Sequence, residues 1–165
     1  MVAQNIVFGI LAAVMGIAAL RVVTVKNVVH AALYLVLVFA GVAGIFILLA
    51  SEFVAVVQVL VYIGAIVVLF LFGTMLTRAP IGRADNLDQS GAQRGLGALV
   101  ALGLLGLLAA ILYDAFGESK VEVTQVATSG DIALALFRDY VIPFEVVSIL
   151  LTAALVGAVV IARRD

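Results

Sequence analysis

Gln58, Tyr62 and Gly64 fall within QVLVYIGAIVVLFLF (58–72), a stretch otherwise apolar enough for the interior of a bilayer. The amide can hydrogen-bond to water but cannot release a proton at neutral pH, and the phenol can donate or accept. Glycine lowers helix stability by about 0.8–1 kcal/mol relative to alanine, so Gly64 marks either close packing or a departure from α geometry. Gln58 and Tyr62 are four apart and share a helical face, with Ala65 and Leu69 continuing the stripe. Glu52 precedes Gln58 by about 9 Å along a regular axis and turns away from that face, near the water boundary. Hydration and proton relay are the chemistry on offer. A bland reading stands beside it, in which neighbouring helices satisfy both side chains and the glycine admits a bulky one.

Two further polar sets lie in apolar surroundings, where polar residues carry most of the functional signal. In NVVHAALYLVL, Asn27 has the type and place of a helix N-cap, and His30 and Tyr34, four apart, share a face. A histidine there can titrate near neutrality or serve as a hydrogen-bonded interfacial residue. In YVIPFEVVSILLTAALVGA, Pro143 suits a first helical turn and Glu145 faces the positive end of the helix dipole. Ser148 and Thr152 extend Glu145 into a polar stripe, either a proton path or a partner for first-turn amides. Ala153 with Gly157, Ala154 with Ala158, Gly9 with Ala13 and Ala12 with Gly16 form small-residue rows that let other helices approach.

The elements that position these residues follow from composition. Of 165 residues, 66% are hydrophobic and 12% charged, against roughly half and a quarter in soluble domains. This predicts an all-α integral membrane protein with a single membrane domain over 1–165. Five apolar runs reach the roughly 20 residues that a bilayer core requires: 2–20, 28–50, 53–77, 95–113 and 144–162. The N-terminus has no basic leader region or small-residue cleavage pattern, so the first run is read as a retained helix. IALALFRDY (132–140) is expected at the membrane interface.

Orientation follows from basic residues, which accumulate on the cytoplasmic side. Five spans place Arg21, Lys26, Arg78, Arg83, Arg94, Arg163 and Arg164 on one side and only Lys120 and Arg138 on the other. The expectation is an outer (periplasmic) N-terminus, a cytoplasmic loop 78–94, an outer loop 114–143 and a cytoplasmic C-terminus.

Several functions are disfavoured. The absence of cysteine removes thiolate ligands for an iron–sulfur cluster, and a single histidine cannot supply a paired haem site. A net charge of -1 with scattered basic residues gives no nucleic-acid surface. Gly95 and Gly97 are followed by Val100 where a dinucleotide fingerprint needs its third glycine. No repeated halves of the kind used by secondary transporters are apparent.

The segments NVVHAALYLVL, SEFVAVVQVLVYIGAIVVLFLF and LFRDYVIPFEVVSILLTAALVGAVVIA, in this order and spacing, closely resemble subunit J of the proton-pumping NADH:quinone oxidoreductase. This complex is respiratory complex I, and the subunit is related to the sixth mitochondrially encoded subunit. The resemblance covers spans one to three and span five. It implies a non-catalytic membrane-arm subunit near the quinone region, packed against subunits A, H and K in a bacterial inner membrane. FMN, iron–sulfur clusters and quinone would belong to partner subunits. It also implies a π-bulge at Tyr62, Ile63, Gly64 and Ala65 that converts to α-helix during turnover and gates a water path. One extra residue in a turn offsets the downstream helix by about 100°, which would exchange Phe70, Phe72 and Met75 at a neighbouring interface.

Two departures limit what carries over. Some members have glutamate where Gln58 stands, which removes a charged relay at that depth, and many have Asn-Pro where Asn27 is followed by Val28. Gln58 and Tyr62 are therefore assigned to gating and hydration, with Glu52, Glu145, Ser148 and Thr152 as further proton-path candidates. The competing readings are a subunit of a multi-chain cation/proton antiporter and a purely structural packing subunit.

Overall fold

The computed structural model describes residues 2–76, 91–117 and 127–163. Arg78, Arg83, Lys120 and Arg164, used above for orientation, lie outside the described residues, as does most of the loop 78–94. Every regular element among the described residues is helical. Five of them are long and apolar enough to cross a membrane: α1 (Val2–Thr24), α2 (Val28–Leu48), α3 (Glu52–Leu76), α4 (Gly91–Phe116) and α6 (Val141–Ala162). Between the last two lies a short helix, α5 (Ser129–Leu134), which runs on into a π turn over Ala135–Asp139. The expected outer loop is thus helical in its second half, through the IALALFRDY segment.

α1 packs along α2, and α2 packs along α3. The inward face of α1 is Leu11, Met15, Ala18 and Val22, at steps of four, three and four, which is the spacing of one helical stripe. α2 meets it with glycines. A Cβ on Gly41 would stand 2.7 Å from Met15 Sδ, and one on Gly44 would stand 3.2 Å from Leu11 Cδ1. The glycines are therefore the sockets that receive two α1 side chains and bring the axes together. Gly9 and Gly16 have nothing within 4 Å of a Cβ position, so the small-residue rows of α1 face away from α2.

The corner between α2 and α3 is tight. Ala50 adopts φ 55, the left-handed conformation that usually selects glycine. Ser51 N–H donates to Phe46 O at 2.9 Å, and Leu49 N–H donates to Ile45 O at 3.0 Å, so the last carbonyls of α2 are satisfied across the turn. Glu52 then opens α3.

α6 begins at Val141, one turn before Phe144. Pro143 lies in its first turn, where a missing N–H leaves no bond unmade. Phe144 N–H donates back to Tyr140 O at 3.1 Å, and the Phe144 ring meets Phe137 edge-on at 5.1 Å, tying the π turn to the start of α6.

Candidate functional site

The middle of α3 is not an α-helix. α geometry holds over Glu52–Val57 and again over Val68–Leu76, and between them Gln58–Val67 is wound as a ten-residue π segment. It includes Tyr62, Ile63, Gly64 and Ala65 and extends beyond them on both sides. A π turn closes each hydrogen bond one residue further along than an α turn does, so it draws an extra residue into each turn.

That winding changes which residues face α2. Gln58 is buried (8% exposed), and Val67, nine residues later, is buried more deeply still (2% exposed). In an α-helix nine residues turn through about 900°, which would put the two on opposite faces. Two π turns bring them to the same one. Leu71 and Thr74, both half-buried, continue the inward stripe into the α-helical end, and the Thr74 hydroxyl donates to Leu71 O at 2.9 Å. The expectation that Ala65 and Leu69 extend the Gln58–Tyr62 stripe is therefore corrected: both are exposed, Leu69 at 73%. The α spacing used to assign them does not apply across a π segment.

Gln58 is the one buried polar side chain among the described residues, flanked by Ala55 one turn earlier. Tyr62 lays its ring against Phe39 of α2 with centroids 5.3 Å apart and planes inclined by 59°. Such tilted aromatic pairs contribute about 0.5–1.5 kcal/mol beyond their buried area. At Gly64 a Cβ would meet only Val59 O, at 3.5 Å, an ordinary contact. Of the two readings of this glycine, close packing fails within this chain and departure from α geometry holds.

Glu52 lies in the first turn of α3 and is exposed, six residues from Gln58 and on the other side of the helix. Glu145 belongs to the second turn of α6 rather than the first, and no acidic side chain caps that helix. Its reading as a partner for first-turn amides is corrected accordingly. Ser148 and Thr152 do follow it along a shallow groove with Ala153 and Gly157. Their hydroxyls donate inward, Ser148 to Phe144 O at 2.9 Å and Thr152 to Ser148 O at 3.0 Å, leaving only oxygen lone pairs toward the groove. This stripe lies on α6, and α3's π segment packs with α2, so the chain does not bring the two polar sets together.

Asn27 caps α2, its side-chain oxygen accepting from Val29 N–H at 2.9 Å and His30 N–H at 3.4 Å. His30 is exposed and Tyr34 half-buried on the same side of the helix. Two features lie beyond the sequence-based expectations: the π turn at Ala135–Asp139 and the capping box that starts α5. In that box Asp131 accepts from Thr128 N–H at 2.9 Å while the Thr128 hydroxyl accepts from Asp131 N–H at 3.3 Å. The Thr128 backbone amide, and after it the Thr128 hydroxyl, hold the Asp131 carboxyl below the usual carboxylate value. The pattern T-x-x-D was visible in the sequence.

No group of three or more metal-ligating side chains occurs among the described residues. With one buried amide, one phenol and a non-α backbone, the arrangement suits positioning and hydration rather than covalent chemistry.

Comparison with known proteins identifies the family. The sequence profile of the NADH-ubiquinone/plastoquinone oxidoreductase chain 6 family matches residues 18–161. NAD(P)H-quinone oxidoreductase chain 6 of Leptolyngbya boryana is 41% identical, covering 98% of this chain and 81% of its own. F(420)H(2) dehydrogenase subunit J of Methanosarcina mazei is 40% identical over 98% of this chain and 92% of its own. NAD(P)H-quinone oxidoreductase chain 6 of Synechocystis is 39% identical over 98% and 82%. With five membrane-length helices and near full-length similarity of this order, the chain belongs to the NADH-ubiquinone/plastoquinone oxidoreductase chain 6 family, the subunit J family of complex I-type enzymes.

Proposed function

We propose that this chain couples quinone reduction to proton translocation in the membrane arm of an NADH:quinone oxidoreductase, and that α3 is the moving part. The observation that carries this reading is the ten-residue π winding of Gln58–Val67 around the buried Gln58. A π segment can rewind to α without breaking the chain's path, and rewinding rotates everything after Val67 relative to Gln58. Water held or released at the Gln58 amide would then gate proton passage near the quinone. The chain itself holds no redox centre in this reading; FMN, iron–sulfur clusters and quinone belong to partner subunits, with subunits A, H and K packed against the helices. The N-terminus lies outside and the C-terminus in the cytoplasm of a bacterial cell, as the basic residues argue. One relative is named for an F(420)H(2) dehydrogenase, which supports a module concerned with the membrane side of such complexes rather than with the electron donor.

The test is Gly64→Val in the assembled complex. The first added carbon is tolerated at this site, so the effect comes from β-branching, which restricts the backbone and side-chain rotamers available during rewinding. Quinone-coupled pumping is expected to fall while NADH oxidation by artificial acceptors is retained. Unchanged pumping in a fully assembled complex would remove the gate. Glu145→Gln is expected to cost less pumping than Gly64→Val, and a larger loss would move the proton path to α6.

A further inference from the structure

Because the π segment spends nine residues where an α-helix spends seven, α3 has two alternative inward stripes that start from the same Gln58. In the observed winding the stripe is Gln58, Val67, Leu71 and Thr74. In a continuous α-helix, two turns from Gln58 end at Ala65, and the stripe continues through Leu69 and Phe72. Ala65, Leu69 and Phe72 are all exposed in the structure, the last two at 73% and 59%. Slot by slot, the two windings offer α2 valine or alanine, then leucine or leucine, then threonine or phenylalanine.

We infer that Val67 is a positioning residue that latches α3 in its π winding, selected over Ala65 by side-chain volume in a single slot against α2. Val67 is the largest fully buried side chain among the described residues. Placing alanine in that slot leaves a gap of about two methyl groups in a packed site, and because lipid is as apolar as a side chain only this lost packing counts, so the π winding gains roughly fivefold over α from this slot. The leucine slot is neutral because both windings fill it with the same residue, and the third slot is an open one, where Thr74 is only half-buried, so side-chain volume discriminates there less than in the closed slot of Val67. The inference deepens the gating reading, since it names the residue pair that sets the gate's resting position.

The experiment exchanges the two volumes in the assembled complex, as Ala65→Val with Val67→Ala, and determines the winding of α3 from cryo-EM maps. The expected result is a continuous α-helix over 58–67 with residue 65 in the slot and Phe72 turned inward. The two changes together shift the π-to-α ratio roughly 25-fold. A retained π segment with residue 67 still in the slot overturns the latch. Should the double variant fail to assemble, Ala65→Val alone decides, because its side chain is exposed in the observed winding; a shift of roughly fivefold toward α is expected, and an unchanged winding overturns the inference. Proton pumping is measured alongside. A changed winding with unchanged pumping leaves the latch standing and removes the gate.

Discussion

α2 and α4 are both apolar enough to span a bilayer, with mean hydropathies of 2.6 and 2.5, yet one is held by its own chain and the other is not. α2 buries Ala32, Gly41 and Ala43 between α1 and α3. No described residue of α4 is buried, and along α6 only Gly157 is even half-covered. Hydropathy thus sorts residues into the membrane without saying which helices touch. What separates the two regions is small residues aligned with large ones on a neighbour: Gly41 under Met15 and Gly44 under Leu11. Within a bilayer the lipid tails are as apolar as leucine, so association needs such close fits. α4, rich in leucine, has no socket that another helix of this chain fills.

The sharpest way to break that contrast is to close the socket. Gly41→Leu should force α1 away from α2 at a cost of about 3 kcal/mol, read as loss of disulfide cross-linking between engineered cysteines on the two helices. Retained cross-linking would mean that the sockets are incidental. Gly157→Leu sharpens the other side. Nothing stands within 4 Å of its Cβ position, so within the chain the change should be silent. In the assembled complex it should lower incorporation by roughly tenfold if a partner helix uses the α6 groove, measured by quantifying the chain in purified complex; unchanged incorporation would assign that face to lipid.

A smaller effect belongs to the corner that joins the packed helices. Ala50→Gly relieves a left-handed conformation and should stabilise the α2–α3 pair by about 1 kcal/mol, seen as a raised thermal midpoint of the complex. The smallest lies on the exposed side. Because its bonds to Thr128 depress the Asp131 carboxyl, its contribution to α5 is fully present above the ordinary value of 3.8 and is lost as pH falls through the folded value. The protection of amides at the start of α5 against exchange, relative to an unstructured chain at the same pH, should therefore fall only in acid, and Thr128→Ala should lower it roughly fivefold at neutral pH.

The same contrast explains how much was legible in the sequence. Five spans could be read because each helix must present about 20 apolar residues to lipid whatever it packs against. The inward face of α3 could not, since the step from Gln58 to Ala65 assumes about 3.6 residues per turn, and a π segment of this length displaces the face by two residues. The family resemblance marked Tyr62–Ala65, but the winding reaches from Gln58 to Val67. The small-residue rows pointed to Gly9 and Gly16, while the glycines that receive side chains are Gly41 and Gly44. A glycine's type is visible in sequence, whereas the side chain that fills it depends on where two helices cross. Asn27 was readable because a cap acts within three residues.

The left-handed corner at Ala50 has a mechanical corollary. With Ser51 N–H fastened to Phe46 O, the upstream end of α3 is clamped to α2. Should the π segment tighten, the two residues it releases lengthen the helix by about 3 Å. A screw held at its head can advance only at its tip, so both the travel and the twist would emerge beyond Val67 and be delivered past Leu76, to whatever grips the polar connection that follows.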